Sequence, residues 1–332
     1  MNKSRRTTLQ DIADVVGMTK MTVSRYLKDP KLVAESSRHA IELAINKLGY
    51  IPNKAPNILS KGKSQAIGVL FPSISNHVFD EVLRGIESVT EPAGYQIMIA
   101  HYAYSPELEE KRISSLLGYH VDGLILSESV HTENTLRMID SSGVPVTEIM
   151  DTCNKPIQQA VGFDNLDAAK QMTLNMLDKG YKNLAYIGSK GDVRDLLRQK
   201  GYEEAVKSRD LPPLIFRSPE FTSIRLGFEI LDDILASEPK VDGVICTNDD
   251  VAMGMLLSCK NRGIKVPNEL GIAGMHGHDM GKLYSPTLAT VITPRYLIGK
   301  VAAEQLLARI DGLEDIETYI DLGFKLNEGE SI

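Results

Sequence analysis

The chain has 332 residues, of which 42% are hydrophobic and 24% are charged, and its formal net charge is −7. These values are typical of a globular chain that is long enough for two or three hydrophobic cores. No apolar run is long enough to cross a bilayer, and the N-terminal "MNKSRRTTLQ" lacks the hydrophobic stretch of a signal peptide, so we expect a cytoplasmic protein. Cys153, Cys246 and Cys259 are odd in number and lack metal-ligand spacing, which predicts reduced, mostly buried thiols.

The charge is divided unevenly along the chain. Residues 1–63 hold 12 Lys or Arg against 5 Asp or Glu, a net charge of +7, whereas the remaining residues hold 25 against 39, a net charge of −14. Attraction to phosphates is local, because salt screens it within about 10 Å. A basic head on an acidic body therefore indicates that the head alone meets a polyanion, although a solvated lysine-rich surface has the same composition.

The basic head is predicted to contain three helices. The first is indicated by apolar residues at helical spacing: Leu9, Ile12, Ala13 and Val16. Gly17 follows where a tight turn is needed, and Thr19 is placed to cap a second helix that runs to about Leu27. A third amphipathic helix is predicted from about Ser36 to Leu48. The first two helices, joined by a three-residue turn, make a helix-turn-helix.

In a helix-turn-helix the second helix lies in the major groove of DNA, with its N-terminal side chains at the base edges. The second helix should bury Val23 and Tyr26 and present its other side chains outward. We expect three outward side chains to contact base edges: Lys20, Met21 and Arg25. We expect three hydroxyl side chains to contact phosphates: Thr8, Thr22 and Ser24.

The segment "GYIPNKAPNILSKGKSQAIGVL" follows the third helix. Asn53 can cap a short helix in which Pro56 is tolerated, but such a helix is too short to be stable alone in water. DNA and a second copy of the chain could support it, with Leu59 as an apolar wedge in the minor groove. A plain linker with a buried leucine is the alternative.

Two long stretches, "TLQDIADVVGMTKMTVSRYLKDP" and "LGYIPNKAPNILSKGKSQAIGVLFPS", resemble the head and hinge of the lactose/galactose repressor (LacI/GalR) family, and the similarity covers nearly the whole chain. Further runs are most similar to the gluconate- and idonate-responsive repressors of that family: "NKAPNILS", "FDEVLRGIESVT", "VGFDN", "CTNDDVAMG", "AGMHGHD" and "TPRYLIGKVAAEQLL". Pro56 departs from the small residue usual in family hinges. The resemblance implies a homodimeric repressor that binds double-stranded operator DNA and is released by a small effector.

The body independently predicts an α/β fold. Short apolar runs alternate with amphipathic helical stretches: "AIGVLF" from 66, "YQIMIA" from 95, "DGLIL" from 122, "VPVTEI" from 144, "NLAYIG" from 183, "DGVICT" from 242 and "GIAGM" from 271. This alternation predicts doubly wound parallel sheets, and the echo of "VDGLIL" in "VDGVIC" predicts two similar halves.

With the resemblance, the expected architecture is a small all-α helix-turn-helix head followed by a two-lobed periplasmic-binding-protein-like body. The expected segments are a head over 1–50, a hinge over 51–64 and an effector-binding and dimerisation body over 65–332. The N-lobe is expected to comprise about 65–163 plus 294–322, and the C-lobe about 164–293 plus 323–332.

Ligands of such folds bind beyond the carboxyl ends of the strands, in the cleft between two lobes. The candidate effector-binding residues are therefore Asn76, Phe79, Asp151, Phe163, Arg198, Asn248, His276 and Thr293. In the family, the matching positions supply an aromatic face, an arginine and an asparagine for ligand oxygens, and a polar group from the last strand of the second lobe. Each residue also has a structural interpretation, since Phe is common in cores and Asn is common in turns.

His276 is the informative departure, because sugar-sensing members of the family generally carry an aspartate there. A carboxylate about 4 Å from a ligand carboxylate would cost about 4 kcal/mol at an effective dielectric constant of 20. Histidine removes that repulsion and can donate a hydrogen bond, so we expect a sugar acid with Arg198 and His276 as its partners. A histidine bonded to backbone, or a metal site in "HGHD", is the alternative.

The sequence contains no "GxSxG", P-loop or "GxGxxG", and capping explains the paired acids Asp249 and Asp250, so we expect no enzyme and no cofactor. A sugar-binding transport protein would share the body, but it would need a secretion signal and no DNA-binding head. The ligand (gluconate, idonate, a neutral sugar or a sugar phosphate), its role as inducer or corepressor, and dimer versus tetramer all stay open. The lack of a heptad tail favours a dimer.

Overall fold

The structure, a computed structural model, describes residues 6–53, 62–190, 192–238 and 240–332. The chain divides into two compact units, Met1–Ser64 and Gln65–Ile332. The smaller unit is called the head and the larger unit the body.

Over residues 6–53 and 62–64, the head contains three α-helices, α1 (Leu9–Val16), α2 (Lys20–Lys28) and α3 (Glu35–Leu48), with a 3-10 turn at Pro30–Leu32. Gly17 ends α1 in the left-handed conformation at φ 65°, which a glycine adopts without strain. The helices enclose one small core, formed by Ile12, Ala13, Val23, Ile41, Ala44 and Tyr50. The predicted helix-turn-helix and its third helix are therefore present.

The body contains two six-stranded sheets with helices on both faces. Its elements in chain order are β1 (Ala66–Phe71), α4 (Val78–Thr90), β2 (Gln96–His101), α5 (Pro106–Gly118), β3 (Gly123–Leu126), α6 (Glu133–Ser142), β4 (Val146–Ile149), β5 (Gln159–Gly162), α7 (Asn165–Asp178), β6 (Leu184–Gly188), α8 (Val193–Lys207), β7 (Leu214–Arg217), α9 (Ile224–Ser237), β8 (Gly243–Cys246), α10 (Asp249–Arg262), β9 (Gly271–His276), α11 (Asp279–Leu283), β10 (Ala289–Ile292), α12 (Arg295–Ile310), β11 (Tyr319–Asp321) and β12 (Lys325–Asn327).

The two sheets are built alike. The first has the order β11-β5-β4-β3-β1-β2 and the second β12-β10-β9-β8-β6-β7, and every pair is parallel except β10 with β12. The strands β3 and β8, formed by the "GLIL" and "GVIC" of the repeated stretches, occupy the same place in their sheets. The predicted two α/β halves are confirmed. The helices and strands around each sheet are called the first lobe and the second lobe.

The chain returns to the first lobe after completing most of the second. Helix α12 lies so close to α4 that a Cβ at Gly85 would fall 2.1 Å from the carbonyl oxygen of Tyr296, and one at Gly299 would fall 2.0 Å from that of Val82. Only glycine permits this approach. The seven predicted strands all form, and the five strands that were not predicted are three or four residues long: β5, β7, β10, β11 and β12.

A buried ionic cluster lies in the first lobe. The imidazole of His131 is 3.1 Å from Oε2 of Glu109 through Nδ1 and 2.9 Å from Oε1 of Glu148 through Nε2. Burial opposes the charge on this imidazole, but the hydrogen bonds to both carboxylates raise the pKa of His131 to about 10. His131 is therefore held as a cation between α5 and β4.

Candidate functional site

The outward face of α2 carries the residues that the sequence predicts for base contacts. Val23 is fully buried, whereas Met21 is 64% exposed and Lys20, Ser24 and Arg25 are also exposed. Thr19 caps the helix, because its hydroxyl accepts a hydrogen bond from the backbone N–H of Thr22 at 3.2 Å. The cap fixes the residue at which α2 begins and therefore determines which side chains lie on its first turn.

Two other predicted contact residues have less free hydrogen-bonding capacity. The Thr8 hydroxyl caps α1 by accepting from the backbone N–H of Asp11 at 3.4 Å, and in return the hydroxyl and the backbone N–H of Thr8 both donate to Oδ2 of Asp11 at 2.7 Å. The Thr22 hydroxyl lies 3.0 Å from that of Thr19. Asn53 is exposed, and Leu59 lies outside the described residues.

The body holds a cavity where the carboxyl ends of strands from both lobes meet. Its walls are Asn76, Val78, Phe79, Met150, Asp192, Arg194, Arg198, Thr222, Thr247, Asn248 and His276. Five of the predicted effector-binding residues are among them, namely Asn76, Phe79, Arg198, Asn248 and His276. The parallel topology brings them together, since every loop after a strand opens at the same edge.

Arg198 is a buried cation with only neutral partners. Its Nε donates to Oδ1 of Asn165 at 3.0 Å, and its Nη1 donates to the carbonyl oxygen of Thr247 at 2.7 Å. Arg198 forms no salt bridge with any described residue, and it is 4% exposed. Burial lowers the pKa of its guanidinium. A cation in such a place is stabilised by an anion that enters the cavity.

Arg194 is a second cavity arginine, and the sequence analysis missed it. Its guanidinium donates to both carboxylate oxygens of Asp192, at 2.9 and 3.3 Å, and to the carbonyl oxygen of Ser127 in the first lobe at 3.0 Å. It also lies 5.7 Å above the ring of Phe79. The signal was present in "RDLLR", because residues four apart share one face of a helix. Asp192 forms its salt bridge with Arg194, so Arg198 is the cavity arginine whose hydrogen-bond partners are neutral.

His276 lies at the end of β9 and contributes to the cavity wall, with an unusual backbone φ of 100°. Its Nδ1 is 3.1 Å from Oγ1 of Thr293. Burial, followed by the nearby charge of Arg198, holds the pKa of the imidazole well below its usual value. His276 is therefore neutral at pH 7, so it can form hydrogen bonds but carries no charge.

Asn248 has a structural role in addition to its place in the wall. Its Oδ1 accepts from the backbone N–H of Val251 at 3.1 Å, so it is the capping residue of α10. The expectation that Asp249 and Asp250 serve as caps is wrong. Asp249 is fully buried and instead accepts from the backbone N–H of His278 at 2.6 Å. Burial raises the pKa of Asp249 to about 6.

Three predicted effector residues are buried but do not line the cavity. The carboxylate of Asp151 accepts hydrogen bonds from the side-chain amides of Asn154 and Asn165, at 3.0 and 3.1 Å. Phe163 belongs to the hydrophobic core and packs edge-on against His276, with ring centroids 6.3 Å apart. Thr293 lies behind His276 and contacts its ring. Of the two aromatic residues that the sequence predicts for the effector site, Phe79 lines the cavity, whereas Phe163 packs in the hydrophobic core.

The cavity is closed in this structure, since its walls leave room for about one water molecule. Asn76 and Thr222 also line a neighbouring cavity, whose wall includes Tyr104 of the first lobe and Phe221 of the second. These two rings stack with centroids 4.9 Å apart and planes 21° apart. A ligand larger than water enters only when the lobes or these side chains separate.

Three further features of the described residues concern metal ligands, cysteines and membrane-spanning helices. No group of three or more His, Cys, Asp or Glu side chains is arranged to hold a metal ion. Cys246 and Cys259 are buried as expected, but Cys153 is exposed, because it lies in a loop after β4. No helix among the described segments is both long and apolar enough to span a membrane.

A helix-turn-helix head followed by a two-lobed α/β body is the architecture of one class of proteins: regulators with a DNA-binding unit and a ligand-sensing unit. Residues 8–53 match the model of bacterial regulatory proteins of the lacI family, and residues 64–325 match that of periplasmic binding proteins and the sugar binding domain of the LacI family. The chain belongs to the LacI family of transcriptional regulators.

The chain is similar over its whole length to curated and solved members of that family. It is 49% identical to the HTH-type transcriptional regulator GntR of Escherichia coli K12 over 99% of this chain and 100% of that protein. It is 43% identical to IdnR of the same organism over 99% and 100%. A LacI-family regulator from Silicibacter pomeroyi superimposes with a TM-score of 0.92 at 32% identity, over 98% and 99% of the two chains. The predicted family and fold are confirmed.

Proposed function

We propose that the protein is a cytoplasmic, homodimeric repressor that binds operator DNA through its head and is released when its cleft takes up a small sugar acid of the gluconate type. The proposal includes no catalytic step and no cofactor. Residues 1–50 are assigned as the reader of DNA, residues 51–64 as the hinge, and residues 65–332 as the effector-binding and dimerisation unit. Within the body, the N-lobe is about 65–163 plus 294–322, and the C-lobe is about 164–293 plus 323–332.

The exposed face of α2 supports the DNA-binding part of the proposal. Lys20, Met21 and Arg25 are outward and lie on the first two turns, where a recognition helix meets base edges. Arg25 has the fork of donors that suits guanine. Ser24 and Thr22 are assigned to phosphates, and the net charge of +7 over residues 1–63 supplies the long-range attraction.

The remaining DNA-binding residues have supporting roles. Thr19 holds the start of α2 through its cap. Thr8 is assigned to a phosphate contact. The phosphate must compete with Asp11 for the Thr8 hydroxyl, so Thr8 should contribute less to DNA affinity than Thr22 or Ser24. Asn53 and Leu59 are assigned to the hinge, with Leu59 in the minor groove.

The buried cation of Arg198, whose hydrogen-bond partners are neutral, is the observation that carries the effector proposal. The cavity wall holds Arg194 and Asp192 as a neutral pair, His276 as a neutral imidazole, and Arg198 as a net positive charge. A ligand with one carboxylate would balance that charge in a water-poor site, where a charge-assisted hydrogen bond is strong. Asn76, Asn248 and Phe79 would then meet its hydroxyls and its carbon backbone.

The remaining predicted effector residues are assigned to the support of this site. Asp151 holds Asn165, which accepts a hydrogen bond from Arg198. Phe163 packs against His276, which is part of the cavity wall. Thr293 supports His276 from behind.

The closed cleft supports a two-state mechanism. Ligand entry requires the lobes to part, so the body has at least two arrangements that a ligand can bias. A thousandfold loss of operator affinity requires about 4 kcal/mol of coupling, which means that the sugar acid binds the DNA-incompetent state about a thousandfold more tightly.

The proposal is tested with the full chain in two separate arms. Duplexes bound at low ionic strength are selected from a random-sequence pool, and the best duplex is titrated with gluconate, idonate, glucose and 6-phosphogluconate in a mobility-shift assay. Binding of each compound to the DNA-free protein is measured by calorimetry. We expect a selected consensus that is roughly palindromic, and release of DNA by gluconate or idonate but not by glucose.

Each arm can fail on its own. A chain that selects no duplex contradicts the DNA-binding proposal. Preferential binding of glucose or 6-phosphogluconate contradicts the monocarboxylate assignment. Tighter DNA binding in gluconate makes the acid a corepressor and reverses the proposed sign of the response.

A further inference from the structure

The contact between His276 and Thr293 bears on which nitrogen of the imidazole ring carries the proton. A neutral imidazole has one nitrogen that donates and one that accepts, and the partner of one nitrogen sets the role of the other. Nδ1 of His276 is 3.1 Å from Oγ1 of Thr293, and both residues are buried. Nε2 of His276 has no hydrogen-bond partner within the described residues, and His276 is part of the cavity wall.

The surroundings of Thr293 indicate where the proton lies. Among the described residues, the Thr293 hydroxyl has His276 as its one hydrogen-bond partner. If the imidazole carried its proton on Nδ1, that proton would point at Oγ1 and the buried O–H of Thr293 would have no acceptor. If Nδ1 is unprotonated, the hydroxyl donates to it and both atoms are satisfied. Buried donors without acceptors are rare and destabilising, so the second arrangement is favoured.

The imidazole also stays neutral in this site. Arg198 and Arg194 both lower the tendency of His276 to take a second proton, after burial itself. With the proton on Nε2, the ring presents a single N–H to the cavity and no lone pair. The backbone φ of 100° at His276 is rare for a residue with a Cβ, and such a conformation persists only where the surrounding structure holds the backbone in place.

We propose that Thr293 is a positioning residue that locks His276 as an Nε2–H donor facing the cleft, so that the ring never turns a repelling lone pair toward a ligand atom that only accepts hydrogen bonds. A carboxylate oxygen is such an atom, whereas a hydroxyl is matched equally well by an acceptor. This inference rests on the proposed function for the identity of the ligand, but the position of the proton is independent of it.

The proton position is tested by NMR on the full-length protein without ligand. Long-range ¹⁵N–¹H correlation spectra distinguish protonated from unprotonated ring nitrogens, and His276→Gln identifies the signals of His276. We expect an unprotonated Nδ1 and a protonated Nε2. Thr293→Val removes the hydroxyl at nearly constant volume and should yield a mixture of the two ring forms, whereas Thr293→Ser keeps the hydroxyl and should restore the wild-type pattern.

The consequence for selectivity is measured by calorimetry with gluconate and glucose. Thr293→Val should weaken gluconate binding about tenfold, the effect of one lost buried hydrogen bond, with a smaller effect on glucose, and Thr293→Ser should restore it. A proton on Nδ1 in the wild type, or an unchanged pattern in Thr293→Val, overturns the positioning role. If the NMR results are as expected but gluconate does not bind the wild type, the positioning role stands and the proposed ligand is wrong. If Thr293→Val does not fold, the wild-type spectrum and Thr293→Ser decide the question.

Discussion

Replacing Arg198 with glutamine should lower the affinity for the ligand without lowering the stability of the unliganded protein. The guanidinium is 4% exposed and its hydrogen-bond partners are the neutral oxygens of Asn165 and Thr247. Its charge therefore destabilises the empty cavity but stabilises a bound carboxylate. A carboxylate about 4 Å from the charge gains about 4 kcal/mol at an effective dielectric constant of 20, which corresponds to about a thousandfold in affinity.

We expect Arg198→Gln to bind gluconate about a thousandfold more weakly while the unliganded protein melts at or above the wild-type temperature, because a glutamine can still donate to one of the two oxygens. Calorimetry and thermal melts with and without gluconate measure both effects. Arg198→Lys keeps the charge but loses the planar fork, so its affinity should be intermediate. Arg225→Gln, which removes an exposed cation paired with Glu229 on α9, should change neither quantity.

Two results would refute the reasoning. If Arg198→Gln binds gluconate within tenfold of the wild type, the buried charge of Arg198 is not what recognises the ligand. If the unliganded variant melts well below the wild type, Arg198 is chiefly a structural link between α7 and the loop after β8.

Three further predictions concern other parts of the molecule. Arg25→Ala should lower operator affinity by about 1–3 kcal/mol and relax the base preference at one position, whereas Lys28→Ala at the end of α2 should weaken all duplexes about equally; unchanged sequence discrimination in Arg25→Ala would remove its assigned role. His276→Asp should weaken gluconate binding far more than glucose binding in calorimetry, because a second carboxylate repels the acid, and the reverse ranking contradicts the anion argument. The pKa of His131 is raised to about 10, so its contribution to stability is complete below pH 6.5 and is lost as the pH rises toward 10. Urea unfolding should show the stability advantage of the wild type over His131→Gln falling by roughly 2 kcal/mol between pH 7 and pH 9, while exposed His120→Asn follows the wild type; parallel curves for all three proteins would rule this role out.

The sequence predicted the elements whose signals are local. Thr19 caps α2 through a bond to a residue three positions away, and Val23 is buried because helical spacing puts it on the inner face. The seven predicted strands are present because each carries an apolar run long enough to stand out from its flanking helices. Strand β12 was missed, since its three residues contain one apolar side chain, so the strand is defined by its antiparallel partner β10 and not by an apolar run of its own.

The cleft could be predicted only in part. The rule that ligands bind beyond strand ends brought Asn76, Phe79, Arg198 and His276 into the candidate set, and all four line the cavity. The rule does not tell which way a side chain turns, so Phe163 was expected in the wall although its ring lies in the core.

The sequence by itself determined that the chain has a basic three-helix head and a body of two similar α/β halves, because charge, periodicity and turn residues act over a few positions. Only the tertiary structure decided the charge balance of the cleft. Arg194 is neutralised by Asp192, whereas the hydrogen-bond partners of Arg198 are neutral. The ring of His276 is hydrogen-bonded to Thr293, 17 residues further along the chain. Those outcomes depend on burial and on distances between atoms from separate strands, and no local pattern in the sequence encodes them.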